Sequence, residues 1–122
     1  MHPASIGQAS LWFLRQLMPY KSPYNLAVRF RLSGELDANA VVEALREIAR
    51  RHESCRTTFA VVDGSVVQII HADMTADVSI VDFSATADPE GQTERFEYSL
   101  ASENFDLERG PLIRARIIRL GP

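Results

Sequence analysis

Apolar positions near the start of the chain recur at helical spacing. Leu11, Leu14, Leu17 and Met18 form a stripe, with Trp12 and Phe13 beside them, and this predicts a helix. Ser5 offers an N-cap, and Gln8 three residues later completes a capping-box pattern. Met18 or Pro19 should end the helix, because the residue before a proline is steered away from helical geometry. Lys21-Ser22-Pro23 reads as a loop. From Tyr24 to Leu32 the period changes to two: Leu26, Val28 and Phe30 share one side, and Ala27, Arg29 and Arg31 the other, which predicts a strand closed by Ser33-Gly34. Asp37 should cap a second helix whose stripe is Val41, Ala44, Leu45 and Ile48. On its outer face Glu43–Arg46 and Glu47–Arg50 offset the like-charged Glu43–Glu47 pair.

Thr57–Val62 and Ser65–Ile70 alternate as strands around Asp63-Gly64, a strong signal for a two-residue hairpin turn with positive φ at both positions. Val78–Val81 is a short strand. Ser84–Asp88 is a loop of small residues that leads to a third helix, capped by Asp88 with Pro89 at its first position and touching the core through Phe96, Leu100 and Ala101. Phe105–Pro111 should turn. Leu112–Leu120 is the last strand, with Arg114 and Arg116 on one face and Ile113, Ala115 and Ile117 on the other. Gly121-Pro122 is a turn signal, so further chain is expected after it. The order of elements suits an α/β two-layer sandwich, a mixed sheet with helices on one face.

Composition narrows the chemistry. At 122 residues the chain is one domain or part of one. A net charge of −3 argues against nucleic acid as a partner. Cys55 is the single cysteine, and His2, His52 and His71 are far apart, so neither a disulfide nor a metal site is expected. No apolar run has the length of a membrane span or signal peptide, which sets the expected location in the cytoplasm, away from membranes.

The most informative stretch is Arg51-His52-Glu53-Ser54-Cys55-Arg56-Thr57-Thr58-Phe59, at the junction of the second helix and the hairpin. Four groups able to carry charge crowd a place where the chain turns inward, as residues lining a cleft do. The plainer reading is a basic helix C-terminus. His52 has no nucleophile and acid nearby in sequence and is expected to pack at the helix end. Cys55 is expected to be a buried, inert thiol. Arg114 and Arg116 could meet an acidic partner or a phosphate, with ordinary pairing or solvation favoured.

This segment resembles the second core motif of nonribosomal peptide synthetase condensation domains, Arg-His-Glu-x-Leu-Arg-Thr-x-Phe, and departs from it only at Cys55, where Leu is usual. Ser5–Leu14 resembles the first core motif, Ser-x-Ala-Gln-x-Arg-Leu-Trp-x-Leu, with Gly7 for Ala and Ser10 for Arg. Ser22-Pro23-Tyr24-Asn25, Phe105-Asp106-Leu107 and Gly110-Pro111-Leu112 are similar to further landmarks. The resemblance implies one lobe of a chloramphenicol acetyltransferase-like fold. Residues 1–122 would be an incomplete N-terminal lobe, without the second lobe and without the third motif, His-His-x-x-x-Asp-Gly. It implies amide formation between substrates held on phosphopantetheine arms of peptidyl or acyl carrier proteins, with no cofactor bound directly. No catalytic residue is expected in this stretch of chain, which alone should be inactive. Arg56 matches the arginine that supports the third motif by pairing with its aspartate; here it should find Glu53, another acid or water. Ser5, Gln8, Trp12, Arg51, His52 and Glu53 are motif positions without an assigned role, Ser5 and Gln8 reading chiefly as helix caps and Trp12 and Phe13 as core. Phe13 and Leu17, one helical turn apart, could touch a carrier protein. Self-association is expected through the face that the second lobe would cover. Two other readings stay open. One is a carrier-binding module without chemistry. The other is the first lobe of an epimerisation, heterocyclisation or stand-alone acyltransferase domain.

Overall fold

The computed structural model describes residues 1–19 and 24–121. The Lys21-Ser22-Pro23 loop, the first half of the Ser-Pro-Tyr-Asn landmark and Pro122 lie outside them. Helix α1 spans Ile6–Leu17, and its capping box is complete: the Ser5 hydroxyl accepts from the Gln8 amide at 3.1 Å while the Gln8 side chain accepts from the Ser5 amide at 2.8 Å. Before it, His2–Pro3 forms a two-residue strand, β1, too short to show a pattern in the sequence. Helix α2 spans Ala38–Arg51 behind the Asp37 cap. A single 3-10 turn, Glu53–Arg56, leads into β2 (Thr57–Val62), which pairs antiparallel with β3 (Ser65–Ile70). The Asp63-Gly64 turn has the anticipated positive φ, 51° and 79°. Strand β4 (Asp77–Asp82) runs parallel to β5 (Arg114–Arg119), joined through α3 (Pro89–Ser102) with its Asp88 cap and leading Pro89.

The α/β class stands, and pairing divides its strands into an antiparallel sheet, β1-β3-β2, and a parallel pair, β4-β5. Helix α2 packs against β4 and β5. Its buried line is Ala38, Val42 and Ala49; of the expected stripe, Val41 and Leu45 are half-buried while Ala44 and Ile48 are exposed. Both lines fit helical periodicity, and only the position of the β4-β5 sheet selects between them. On α3, Phe96 meets Phe83 edge to face, ring centres 5.7 Å apart, a favoured aromatic geometry.

The main correction concerns Tyr24–Leu32, which has the pattern of a strand but pairs with no strand among the described residues. Asn25 donates to the carbonyls of Ala101 and Glu103, Arg29 pairs with Glu97, and Arg31 pairs with Glu90. Along α3, Glu90 to Ala101 is a rise of about 17 Å, and six extended residues from Asn25 to Arg31 cover about 20 Å. The segment therefore runs extended and antiparallel to α3, its odd positions toward the helix. The even positions Leu26, Val28, Phe30 and Leu32 are 94%, 77%, 81% and 62% exposed. Among the described residues no helix is long and apolar enough to cross a membrane, and no group of three His, Cys, Asp or Glu side chains could hold a metal ion.

Candidate functional site

The backbone leaves helical geometry at His52 (φ −112°, ψ 111°), and the 3-10 turn then delivers Arg56 to the start of the hairpin. Arg56 is half-buried. Its Nε donates to the Ala49 carbonyl at 3.1 Å and its Nη1 to the His71 carbonyl at 2.5 Å, while the His71 amide donates to the Arg56 carbonyl at 2.9 Å. Arg56 and His71 thus continue the hairpin by one more pair, and the guanidinium ties the end of α2 to the end of β3. The expected carboxylate or water partner is replaced by main-chain carbonyls. The reason is local: the last carbonyls of a helix lack intrahelical donors and carry partial negative charge, whereas Glu53 faces solvent.

Behind this clamp Thr58 is fully buried, its hydroxyl 2.7 Å from His71 Nε2. The loop after α3 seals it. Phe59 donates its amide to the Leu107 carbonyl at 2.7 Å, and Gly110, at φ 63°, sits so close that a Cβ there would stand 3.0 Å from Thr58 Cγ2. Only glycine meets both the positive φ and that approach.

The other motif residues scatter. His52 is exposed at the helix C-cap rather than packed, because the chain turns at this residue and leaves its side chain outside the α2–hairpin contact. Cys55 is half-buried and free. Glu47 accepts from Arg50 and from Arg51, and these two bonds, Arg50's first, pull its carboxyl down to about 2. All three side chains face water, so this is a surface cluster. Arg114 and Arg116 are paired as favoured: Arg114 stacks 3.9 Å from the Phe105 ring centre and donates to the Glu103 carbonyl, and Arg116 holds Asp77 at 3.0 Å.

A broad concavity lies away from Arg56. A chamber of about 1790 Å³ is bordered by residues 24–36, by residues 112–121, and by parts of α1, α2 and α3. Of the two core motifs, Gln8, Leu11, Trp12, Leu14 and Phe59 border it, and Arg56 does not. Trp12 is 5% exposed, as expected of a core residue, whereas Phe13 and Leu17 are 57% and 77% exposed, so Phe13 is not core. Ser5 stays at the helix cap, and Gln8 also reaches Gln68 Oε1 at 3.2 Å.

Residue-by-residue reading missed His71 and Gln68. Counting the hairpin register outward from Asp63-Gly64 sets Arg56 opposite His71, so that pair was accessible in principle; the Gln8–Gln68 contact was not.

The profile of the family described as Condensation domain matches residues 1–122. A linear gramicidin synthase of Brevibacillus parabrevis is 43% identical over 119 residues, which cover 96% of this chain and 2% of that protein. The solved starter condensation domain of rhizomide synthetase superposes with a TM-score of 0.78 at 22% identity, covering 99% of this chain and 30% of that one. For the first condensation domain of the calcium-dependent antibiotic synthetase, in complex with a substrate analogue, the TM-score is 0.80 at 21% identity, covering 98% and 30%.

Proposed function

The chain belongs to the condensation-domain family, and on that premise we propose that residues 1–122 are most of the N-terminal lobe of a nonribosomal peptide synthetase condensation domain. In the complete domain the amine of a carrier-bound aminoacyl acceptor attacks the thioester carbonyl of a carrier-bound acyl or peptidyl donor. A C–N bond forms, the C–S bond breaks, and the donor arm leaves as a thiol after the amine has given up a proton. Phosphopantetheine belongs to the carrier proteins in this reading, so no pocket of this chain needs to hold it as a resident group. Holding two tethered reactants together replaces a bimolecular encounter and supplies much of the acceleration.

The carrying observation is that the second-motif segment folds as one rigid junction, Arg56 bonded at once to the end of α2 and the end of β3. Arg56 is a positioning residue here: two of its nitrogens fix the guanidinium on main-chain carbonyls, and its planar fork can then orient a carboxylate of the third motif. That motif is not within residues 1–122, where no two histidines are adjacent. The proton-handling imidazole would lie in the rest of the domain. The test mixes loaded donor and acceptor carrier proteins with residues 1–122, and separately with the same residues joined to the remainder of a condensation domain, with mass-spectrometric detection of amide product. Product is expected only from the joined chain. Product from residues 1–122 alone refutes the division of labour, and none from the joined chain refutes the activity.

A second reading, carrier binding without chemistry, is favoured by one feature of α1. Ile6, Phe13 and Leu17 are 89%, 57% and 77% exposed and lie along one side of the helix, with Phe13 and Leu17 as the carrier contact. Bare apolar stripes of this kind mark interaction surfaces.

A further inference from the structure

We infer that His71 is a second positioning residue of the proposed reaction: its ring, anchored on the buried Thr58 hydroxyl, fixes the carbonyl that holds the Arg56 guanidinium in the orientation that receives the third motif. The inference rests on the reading of residues 1–122 as part of a condensation domain. Its first support is the unequal footing of the two carbonyls that Arg56 binds. The Ala49 carbonyl belongs to the last turn of α2, which the His52 amide closes by donating to Ile48 at 3.0 Å. The His71 carbonyl lies one residue past the end of β3, where the chain leaves the ladder for the exposed residues Ala72 and Asp73. The ends of elements open locally at little cost. A carbonyl placed there directs a guanidinium only if something besides the ladder holds it.

The ring is that hold. Thr58 stands opposite Ile69 in the hairpin, so His71, two residues further on, shares its face in the diagonal position, within reach of an aromatic ring. His71 Nε2 meets the Thr58 hydroxyl at 2.7 Å. A hydroxyl both donates and accepts, so the bond forms with either tautomer of the ring. Thr58 is fully buried, and the ring is its hydroxyl's one hydrogen-bond partner among the described residues. A buried hydroxyl without a partner is costly, which keeps the two together. Thr58 in turn is wedged in place. Gly110 crowds its methyl group, and the Gly110 loop is tied on itself: the Asp106 carbonyl accepts from the Gly110 amide at 2.7 Å, and its carboxylate from the amides of Glu108 and Arg109 at 3.1 and 3.2 Å. A Cβ on Gly110 would also stand 3.1 Å from Met74 Cε, so the segment after His71 packs on the same loop.

The chemistry explains what this precision serves. Among the described residues Arg56 Nη2 has no partner, and no carboxylate pairs with the guanidinium. With Nε and Nη1 both bonded, the guanidinium plane is set, and with it the direction of Nη2. A carboxylate met on that edge is held in one orientation; on a guanidinium free to turn it is not. His71 therefore acts through Arg56 and not on the substrate.

The test uses the complete domain, with the Arg56 guanidinium followed by NMR (its signals assigned by their loss in Arg56→Lys) and amide formation assayed on the same samples. His71→Leu removes the polar ring atom, His71→Gln returns an amide to the place of Nε2, and Thr58→Val removes the hydroxyl. Separate Nη1 and Nη2 signals, the mark of a guanidinium that does not turn, are expected in the parent and in His71→Gln. One averaged signal is expected in His71→Leu and in Thr58→Val. In those two variants kcat should fall on the order of tenfold with KM within about twofold, and His71→Gln should return kcat to within about threefold of the parent. The double variant should be no slower than either single one, since both remove the same contact. A merely structural contact lowers the urea midpoint but leaves the Arg56 signals and kcat per folded molecule unchanged. That result overturns the proposal, as does an averaged signal already in the parent or a rise in KM alone. Should His71→Leu fail to fold, Thr58→Val carries the test, because it keeps the shape of the residue it replaces. If the parent forms no product, signals that merge in the variants support the anchor and sink only the activity. Merged signals with product at the parent's rate sink the positioning role alone.

Discussion

Two stretches carry the same period-two alternation and meet opposite fates. Thr57–Ile70 becomes a complete antiparallel ladder from Thr57↔Ile70 to Val62↔Ser65, while Tyr24–Leu32 pairs with nothing described. The hairpin brings its own partner two residues away, and Asp63-Gly64 fixes the register. Among the described residues the extended segment is held to the α3 region by two Asn25 hydrogen bonds and by exposed ion pairs worth about 0–1 kcal/mol each. Alternation therefore specifies an extended conformation with two different faces; whether that conformation becomes a ladder depends on a neighbour that the pattern does not encode.

The contrast can be tested most severely at Thr58, inside the closed region. Thr58→Val keeps the shape but removes the hydroxyl from His71 Nε2. A loss of about 1 kcal/mol is expected, the net worth of one hydrogen bond to a half-buried partner, read as a lower urea midpoint at unchanged slope. An unshifted midpoint would show that the Thr58–His71 contact contributes nothing. In the open region, Phe30→Ser should change stability by less than about 0.5 kcal/mol, since Phe30 is 81% exposed. Its larger effect should be on association: residues 1–122 are expected to self-associate through the bare even face of 24–32, and the variant should scatter light as a smaller species. An equal mass for variant and parent would clear that face of the role.

The smallest expected effect lies on α2. The Glu47 carboxyl, held at about 2 by Arg50 and Arg51, sits below its ordinary value of 4.5. A depressed folded value means that its contribution is fully present above about 4.5 and is lost as the pH falls through about 2. NMR titration of the Glu47 side chain should show a midpoint well under 4, and one near 4.5 would mean that the arginine cluster is not formed in solution.

Much of the layout was legible because its causes are local. The Ser5–Gln8 box, the Asp37 and Asp88 caps, Pro89 and the Asp63-Gly64 turn each act within a few residues. The helices and the hairpin therefore stand where the pattern put them. The site was legible in part. Arg56 was expected to support the third motif and, within this stretch, to find an acid or water; the bonds it makes here go to the Ala49 and His71 carbonyls, because carbonyls at a helix end do not announce themselves as side-chain acids do. His52 was expected inside and lies outside, since the turn at the end of α2 decides which way a C-cap side chain points.

From the sequence alone came the three helices, the hairpin and strands β4 and β5 in their order and, through the joint motif resemblance, the family. Both depend on local chemistry or on residues that can be compared one by one. Only the tertiary structure decided which flank of α2 is buried, that the strands divide into two sheets, and that Tyr24–Leu32 and β5 face each other across a chamber instead of pairing. Those outcomes turn on contacts between segments far apart in the chain, where burial and backbone hydrogen bonding with whatever neighbour is present override a pattern that several arrangements would satisfy.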